Sequence, residues 1–208
     1  SKPDLAIFDL DNTILNGDSD YSMINYLIDI NLLDEAAKLK NDEFISDYQQ
    51  GQLDFNKYTN FALKPYIGMT QNEINEVSHP FVEKIIEPMI NIFALKLLHE
   101  HYEKGHKILL ASATNELIVK PIAKRLEIKN VIATKVEFKD NKCTGKFISP
   151  SALGEGKLKL VQSWIKDNQY KNALDYDSPA TREIAHQYTQ NPPASMGVLP
   201  DTHFRDLL

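Results

Sequence analysis

The stretch that most restricts the fold is LAIFDLDNT, residues 5–13. Four apolar residues run without interruption, stop at Asp9, and are followed by a second acid at Asp11. A short, unbroken apolar run suits a strand covered on both faces in a parallel sheet. Asp is disfavoured both in strands and in cores, so Asp9 marks where the strand ends. Two carboxylates so close repel each other unless positive charge lies between them. The pair therefore implies a cation and an anionic ligand.

From about residue 21 to 93 the apolar spacing becomes helical. Tyr21, Ile24, Leu27, Ile28 and Leu32 fall on one stripe, Asp34 and Asp54 are candidate helix starts, and Gly51 is a candidate stop. Thr70 with Glu73 has the form of a capping box. This block contains no convincing strand. Alternation then resumes: a helix over residues 92–103, a strand at 107–111 (KILLA) ending at Ser112, and a helix over 115–126. A strand at 131–134 (VIAT) follows, then a hairpin over 136–148 turned at Asp140–Asn141. A helix over 156–167, a weak strand at 172–176 and a helix over 179–188 complete the reading. Strands alternating with helices define an α/β fold, a doubly wound parallel sheet whose ligands bind beyond the carboxyl ends of the strands. The expected division is an α/β core from residues 1–16 and 89–208, with a helical cap over 17–88. Asp9, Ser112 and the Asp175–Asp177 pair all fall at strand ends.

The chain of 208 residues has room for one core with such an insertion. A formal net charge of −6 and the lack of a dense Lys/Arg run argue against a nucleic-acid partner, but not against a phosphate ligand. Cys143 is the only cysteine, so no intrachain disulfide exists and a reducing compartment is the simpler reading. Its polar hairpin setting, with no nearby His, points to a structural role. No signal-peptide pattern opens the chain and no apolar run reaches the ~18 residues of a membrane span, so no membrane partner is expected and the cytoplasm is the expected location.

The residues at the strand ends are those that hydrolysis of a phosphate monoester needs. Asp9 can act as nucleophile and Asp11 as acid and then base. Ser112 and the backbone at Ala113 can hold phosphoryl oxygens, and Lys157, opening a helix in GEGK, can neutralise their charge. Mg²⁺ suits the hard oxygen ligands and offsets the repulsion between carboxylate and phosphate. Each residue alone has a plainer reading: a turn or cap for Asp-x-Asp, a turn residue for Ser112, a surface lysine for Lys157.

DLDNT at 9–13, a strand ending in Ser112 and Lys157 in GEGK resemble the first three motifs of the haloacid dehalogenase superfamily. The helical insert resembles the cap of its phosphoserine-phosphatase-like branch. NGDSD at 16–20, KND at 40–42, SATN at 112–115 and TGK at 144–146 resemble one bacterial group within it. The resemblance implies Asp9 as nucleophile, Asp11 as acid/base, and Ser112 and Lys157 as phosphoryl ligands. It further implies Mg²⁺ held by Asp9, the backbone carbonyl of Asp11 and a downstream acid. For that acid the chain offers Asp177, within LDYDSPATREIA, but Ala180 and Thr181 stand where the family pattern has Asn and Asp. Loss of the second acid can weaken Mg²⁺ binding without abolishing it.

The resemblance implies a small phosphorylated metabolite as substrate, with phosphoserine and histidinol phosphate as first candidates. Asp18 and Asp20 can meet a substrate amino group or simply cap a helix, and Lys40 can meet a carboxylate or remain solvated. Tyr and Phe in the insert read as cap core rather than as a binding platform. The rival reading, from a different class, is a fold member that binds or regulates without turnover. A phosphotransferase shares every residue with a hydrolase. The oligomeric state is not legible.

Overall fold

The computed structural model describes residues 5–168 and the strand backbone at 173–175. Five strands form one sheet in the order β4-β3-β2-β1-β5: β1 (Leu5–Phe8), β2 (Lys107–Asn115), β3 (Asn130–Lys139), β4 (Lys142–Ile148) and β5 (Ala173–Asp175). β1 pairs in parallel with β2 and β5, β2 in parallel with β3, and β3 with β4 as an antiparallel hairpin. The chain moves outward from β1 to one side through β2 and β3, then returns to the other side at β5. The carboxyl end of β1 is therefore the topological switch point, where such sheets open a crevice for ligands.

The apolar run of β1 is continuous because both faces of the strand are covered. Ala6 and Phe8 join Ile108 and Leu110 in the larger core cluster. Leu5 and Ile7 join Leu109, Ala111 and Val161 in a smaller one on the opposite face. Three helices flank the sheet: α5 (Ile92–Glu103), α6 (Glu116–Arg125) and α7 (Glu155–Asp167). α5 has the expected bounds.

Between β1 and α5 lie four α-helices: α1 (Ser19–Asp29), α2 (Ala36–Gln49), α3 (Phe55–Leu63) and α4 (Gln71–Phe81). Side-chain caps start three of them. Asp18 accepts from Tyr21 N–H, Asp54 from Lys57 N–H, and Thr70 with Glu73 closes a reciprocal box. Where the chain leaves and rejoins the sheet, its two segments pair: Asn16 N–H donates to Met89 C=O (2.7 Å) and Asn91 N–H to Ile14 C=O (2.8 Å). The far side of the insert is tied to the hairpin, with Gly68 N–H donating to Cys143 C=O (2.8 Å) and Cys143 N–H to Met69 C=O (2.9 Å). Phe55 stacks edge-on against Phe147. Buried residues of the insert, including Tyr26, Leu63 and Phe81, share one cluster with the sheet's Phe8 and Leu110.

Several details differ from the sequence reading. KILLA is only the first half of β2, which stays extended through Asn115 across a register shift against β3. The expected strand at 131–134 and the first arm of the hairpin are one continuous strand, β3. Its turn is at Asp140–Asn141 as expected, with φ of 50° and 63°, the left-handed pair that a two-residue hairpin requires. Cys143, expected in a polar stretch, is buried, because alternation along β4 turns it toward the core. Asp177, Ala180, Thr181 and the expected helix over 179–188 lie outside the described residues.

Candidate active site

A pocket opens at the switch point, between the carboxyl ends of β1 and β2, the start of α7 and the insert. It is a tight cavity of about 90 Å³, lined from the sheet side by Asp9, Asp11, Ser112, Ala113, Thr114 and Lys157. α1, α2 and α3 supply Asp18, Asp20, Tyr21, Asn41, Phe44, Tyr48 and Tyr58, and Leu53 and Phe55 lie at the start of α3.

The loop after β1 positions the two floor acids. Leu15 N–H reaches back five residues to Leu10 C=O (3.0 Å), forming a wide turn in which Asn12 takes a left-handed φ of 58°. Asp9 Oδ1 accepts from Leu10 N–H at 2.8 Å and faces Lys157 Nζ at 3.4 Å, both side chains being buried. Asp11 is held by Ser19 N–H at Oδ1 (2.7 Å) and by Thr114 Oγ1 at Oδ2 (2.7 Å). Burial raises the Asp11 pKa above its ordinary value, against the lowering effect of those hydrogen bonds. A carboxyl so raised can carry a proton nearer neutral pH, as an acid catalyst must.

From the β2 end, Ser112 Oγ accepts from Thr114 N–H (3.2 Å), and Ala113 C=O accepts from Thr134 Oγ1 (2.8 Å). Thr134 Oγ1 in turn accepts from Ala152 N–H (3.1 Å), which joins β2, β3 and the loop before α7. Asn115 caps α6 by accepting from Leu117 N–H (3.0 Å).

The GEGK segment explains how Lys157 comes to be buried. Gly154 turns the chain with φ 56° and ψ −125°, a conformation open to glycine. Gly156 lets the first turn of α7 close against the preceding loop, since a Cβ there would lie 2.2 Å from the Ser151 carbonyl oxygen. Gly156→Ala is therefore expected to push α7 outward and cost about 1–3 kcal/mol, the usual price of overpacking. Thermal denaturation checks this. An unchanged melting temperature would mean that the loop yields freely.

The insert contributes acids and aromatic rings. Asp18 serves as helix cap and also lines the pocket. Burial, and then the charge of Asp11, raise its pKa to about 7. Burial followed by Asp18 and Asp11 raises Asp20 well above the ordinary range, while the nearby hydroxyls of Thr114 and Tyr58 favour its charged form. Burial, and then Asp20, push the Tyr58 phenol well above its ordinary value. Asp20 Oδ1 is buried without a hydrogen-bond partner.

Eight of the nine residues singled out from sequence are described, and seven line this pocket. Lys40 does not. It lies on the solvent face of α2, 4.0 Å from Glu43 and over the Phe44 ring; one residue on, the helical rotation turns Asn41 inward instead. The ninth, Asp177, lies outside the described residues. The aromatic residues of the insert are not all cap core, since Tyr21, Tyr48, Phe55 and Tyr58 face the cavity. Thr114, Ser19 and Thr134 were missed. The SATN string contained Thr114, but nothing in it fixes which hydroxyl turns toward Asp11.

Among the described residues, no three His, Cys, Asp or Glu side chains are grouped to hold a metal ion. Asp9 and Asp11 nevertheless supply hard oxygens to a pocket where acids outnumber the lone lysine, a donor set that fits a Mg²⁺-like cation. No described helix is long and apolar enough to cross a membrane.

Fold and pocket together define an α/β protein with an acid-lined cavity at the sheet's switch point. The description of the haloacid dehalogenase-like hydrolases matches residues 6–180. The chain is 33% identical over 204 residues to a histidinol-phosphatase of Neisseria meningitidis, covering 92% of each chain. It is 27% identical over 201 residues to a probable phosphatase of Mycobacterium tuberculosis, covering 90% of this chain and 68% of that one. A Bordetella pertussis protein of unknown function has a similar structure, with a TM-score of 0.75 at 24% identity over 91% of this chain and 97% of that one. A phosphoserine phosphatase solved with a phospho-aspartyl intermediate analogue gives a TM-score of 0.58 at 16% identity, over 84% and 78%. The chain belongs to the haloacid dehalogenase-like hydrolase family, and it is an enzyme of the phosphatase class.

Proposed function

We propose that this phosphatase is Mg²⁺-dependent and hydrolyses a small phosphate monoester, phosphoserine- or histidinol-phosphate-like, through an aspartyl-phosphate. The observation that carries this is the buried Asp9–Lys157 pair at 3.4 Å, beside an Asp11 whose pKa is raised. Asp9 attacks phosphorus while Asp11 protonates the leaving oxygen. Asp11, then ionised, draws a proton from the water that opens the acyl phosphate. Ser112, the Ala113 backbone and Lys157 hold the phosphoryl oxygens, where the start of α7 also favours negative charge. The Asp9 carboxylate, the Asp11 carbonyl and Asp177 are the proposed Mg²⁺ ligands. When bound, the ion offsets repulsion between carboxylate and phosphate dianion. The insert acts as a cap, and the small cavity favours metabolites over phosphoproteins.

Release of inorganic phosphate from a panel of small esters, with Mg²⁺ and after its removal by chelation, tests the reading. Release should depend on Mg²⁺ and should be poor from a phosphopeptide. Absence of release from the folded protein under both conditions would overturn it, in favour of a family member that binds without turnover.

A further inference from the structure

The cap side of the pocket carries more information than the phosphate end. Asp20 Oδ1 is buried with no hydrogen-bond partner, although its carboxyl faces the cavity beside the Tyr58 hydroxyl. A buried acceptor left unmatched is costly, so a donor is expected to complete it when the site is filled. The same cavity is lined by the aromatic rings of Phe44, Tyr48 and Phe55. Acids and aromatic rings lining one cavity are an environment that attracts an organic cation.

The charge balance narrows the ligand further. Among the described residues lining the cavity, Lys157 is the sole cation, and it is paired with Asp9. A carboxylate on the leaving group would meet Asp18 and Asp20 with no opposite charge to receive it. Two negative groups brought together in an enclosed site repel strongly.

We infer that Asp20, with Tyr58 beside it, is the specificity subsite for a protonated amine, and that the preferred substrate is the phosphate ester of an amino alcohol with a flat or apolar body and no carboxylate. This rests on the phosphatase reading of the same pocket and chooses between its two candidates, histidinol phosphate over phosphoserine. Tyr58 is a positioning residue, since its hydroxyl bonds to the Asp20 carboxyl and favours its charged form. The amine's N–H donors would satisfy Oδ1, and its body would lie along the ring faces.

The test compares histidinol phosphate, phosphoserine and phenyl phosphate for wild type, Asp20→Asn and Tyr58→Phe. Binding of unphosphorylated histidinol is measured in parallel by calorimetry. Wild type should prefer histidinol phosphate over phosphoserine at least about tenfold in kcat/KM, as expected when a site rejects a mismatched polar group. In Asp20→Asn the kcat/KM ratio of histidinol phosphate to phenyl phosphate should fall at least about tenfold, mainly through KM. Tyr58→Phe should move it the same way by less. An equal loss on all three esters would mark both residues as structural and overturn the proposal, as would a preference for phosphoserine. If no ester is turned over, the phosphatase reading fails but the subsite is still judged. Histidinol binding lost in Asp20→Asn upholds it, and no histidinol binding by wild type overturns it.

Discussion

Replacing Asp9 with Asn is expected to lower phosphate release by on the order of 10³-fold or more, equivalent to about 4 kcal/mol of transition-state stabilisation. Asn retains a side-chain oxygen to accept from Leu10 N–H, as Asp9 does at 2.8 Å, so the turn after β1 should survive. What the substitution removes is the charged nucleophile. It also removes one charged partner of the buried Lys157, and breaking a buried ion pair is destabilising. Circular dichroism and thermal denaturation must therefore accompany the assay. If Asp9 is the nucleophile, wild type quenched during turnover should gain the mass of one phosphoryl group, and the variant should not. A folded variant with near wild-type turnover would sink the aspartyl-phosphate mechanism.

The second large effect concerns stability against pH. The Asp18 carboxyl, with a pKa of about 7 instead of the usual 3.8, binds its proton more tightly in the folded than in the unfolded chain. Its contribution is then fully present below the unfolded pKa and is lost as pH rises through the folded one. Stability of the ligand-free protein should fall between about pH 4 and pH 7. A shift of about three units has an upper bound of about 4 kcal/mol, roughly halved for solvent access at the pocket mouth. Asp11 and Asp20 are raised as well and act in the same direction. Asp18→Asn isolates the charge, because Asn caps a helix as well as Asp does. The variant should be more stable than wild type at pH 7.5 and closer to it at pH 4.5, by denaturant titration at both pH values. Equal stabilities at pH 7.5 would show that the carboxylates are not strained. A bound cation, whether Mg²⁺ or an amine, should reduce the difference by binding only the folded state.

Much of this arrangement is local and was therefore legible in the chain. The run Leu5–Phe8 required a strand covered on both faces, and the abrupt acids placed a polar site at its end. The caps at Asp18, Asp54 and Thr70 depend on hydrogen bonds within one turn, and the Asp140–Asn141 turn on backbone preference. GEGK located the start of α7 because glycine at 154 and 156 has few other uses there. The extent of β2 was harder to read. Ser112–Asn115 carries none of the usual strand signals except a β-branched Thr114, and it stays extended because β3 pairs with it and Thr134 Oγ1, itself held by the loop before α7, donates to the Ala113 carbonyl.

The sequence by itself determined the α/β class, the insertion of helices after β1, and the residue types that gather at the strand ends, because each follows from periodicity or from contacts a few residues long. Tertiary structure alone decided which face of the insert meets the site. Helix α2 could have turned Lys40 or Asn41 inward, and only its packing against α1, where Asn41 Nδ2 donates to Tyr21 C=O at 3.1 Å, selects Asn41. The same packing brings Asp20 and Tyr58, 38 positions apart in the chain, to one end of the cavity. No local preference encodes that meeting, because it arises from burying several helices against one sheet at once.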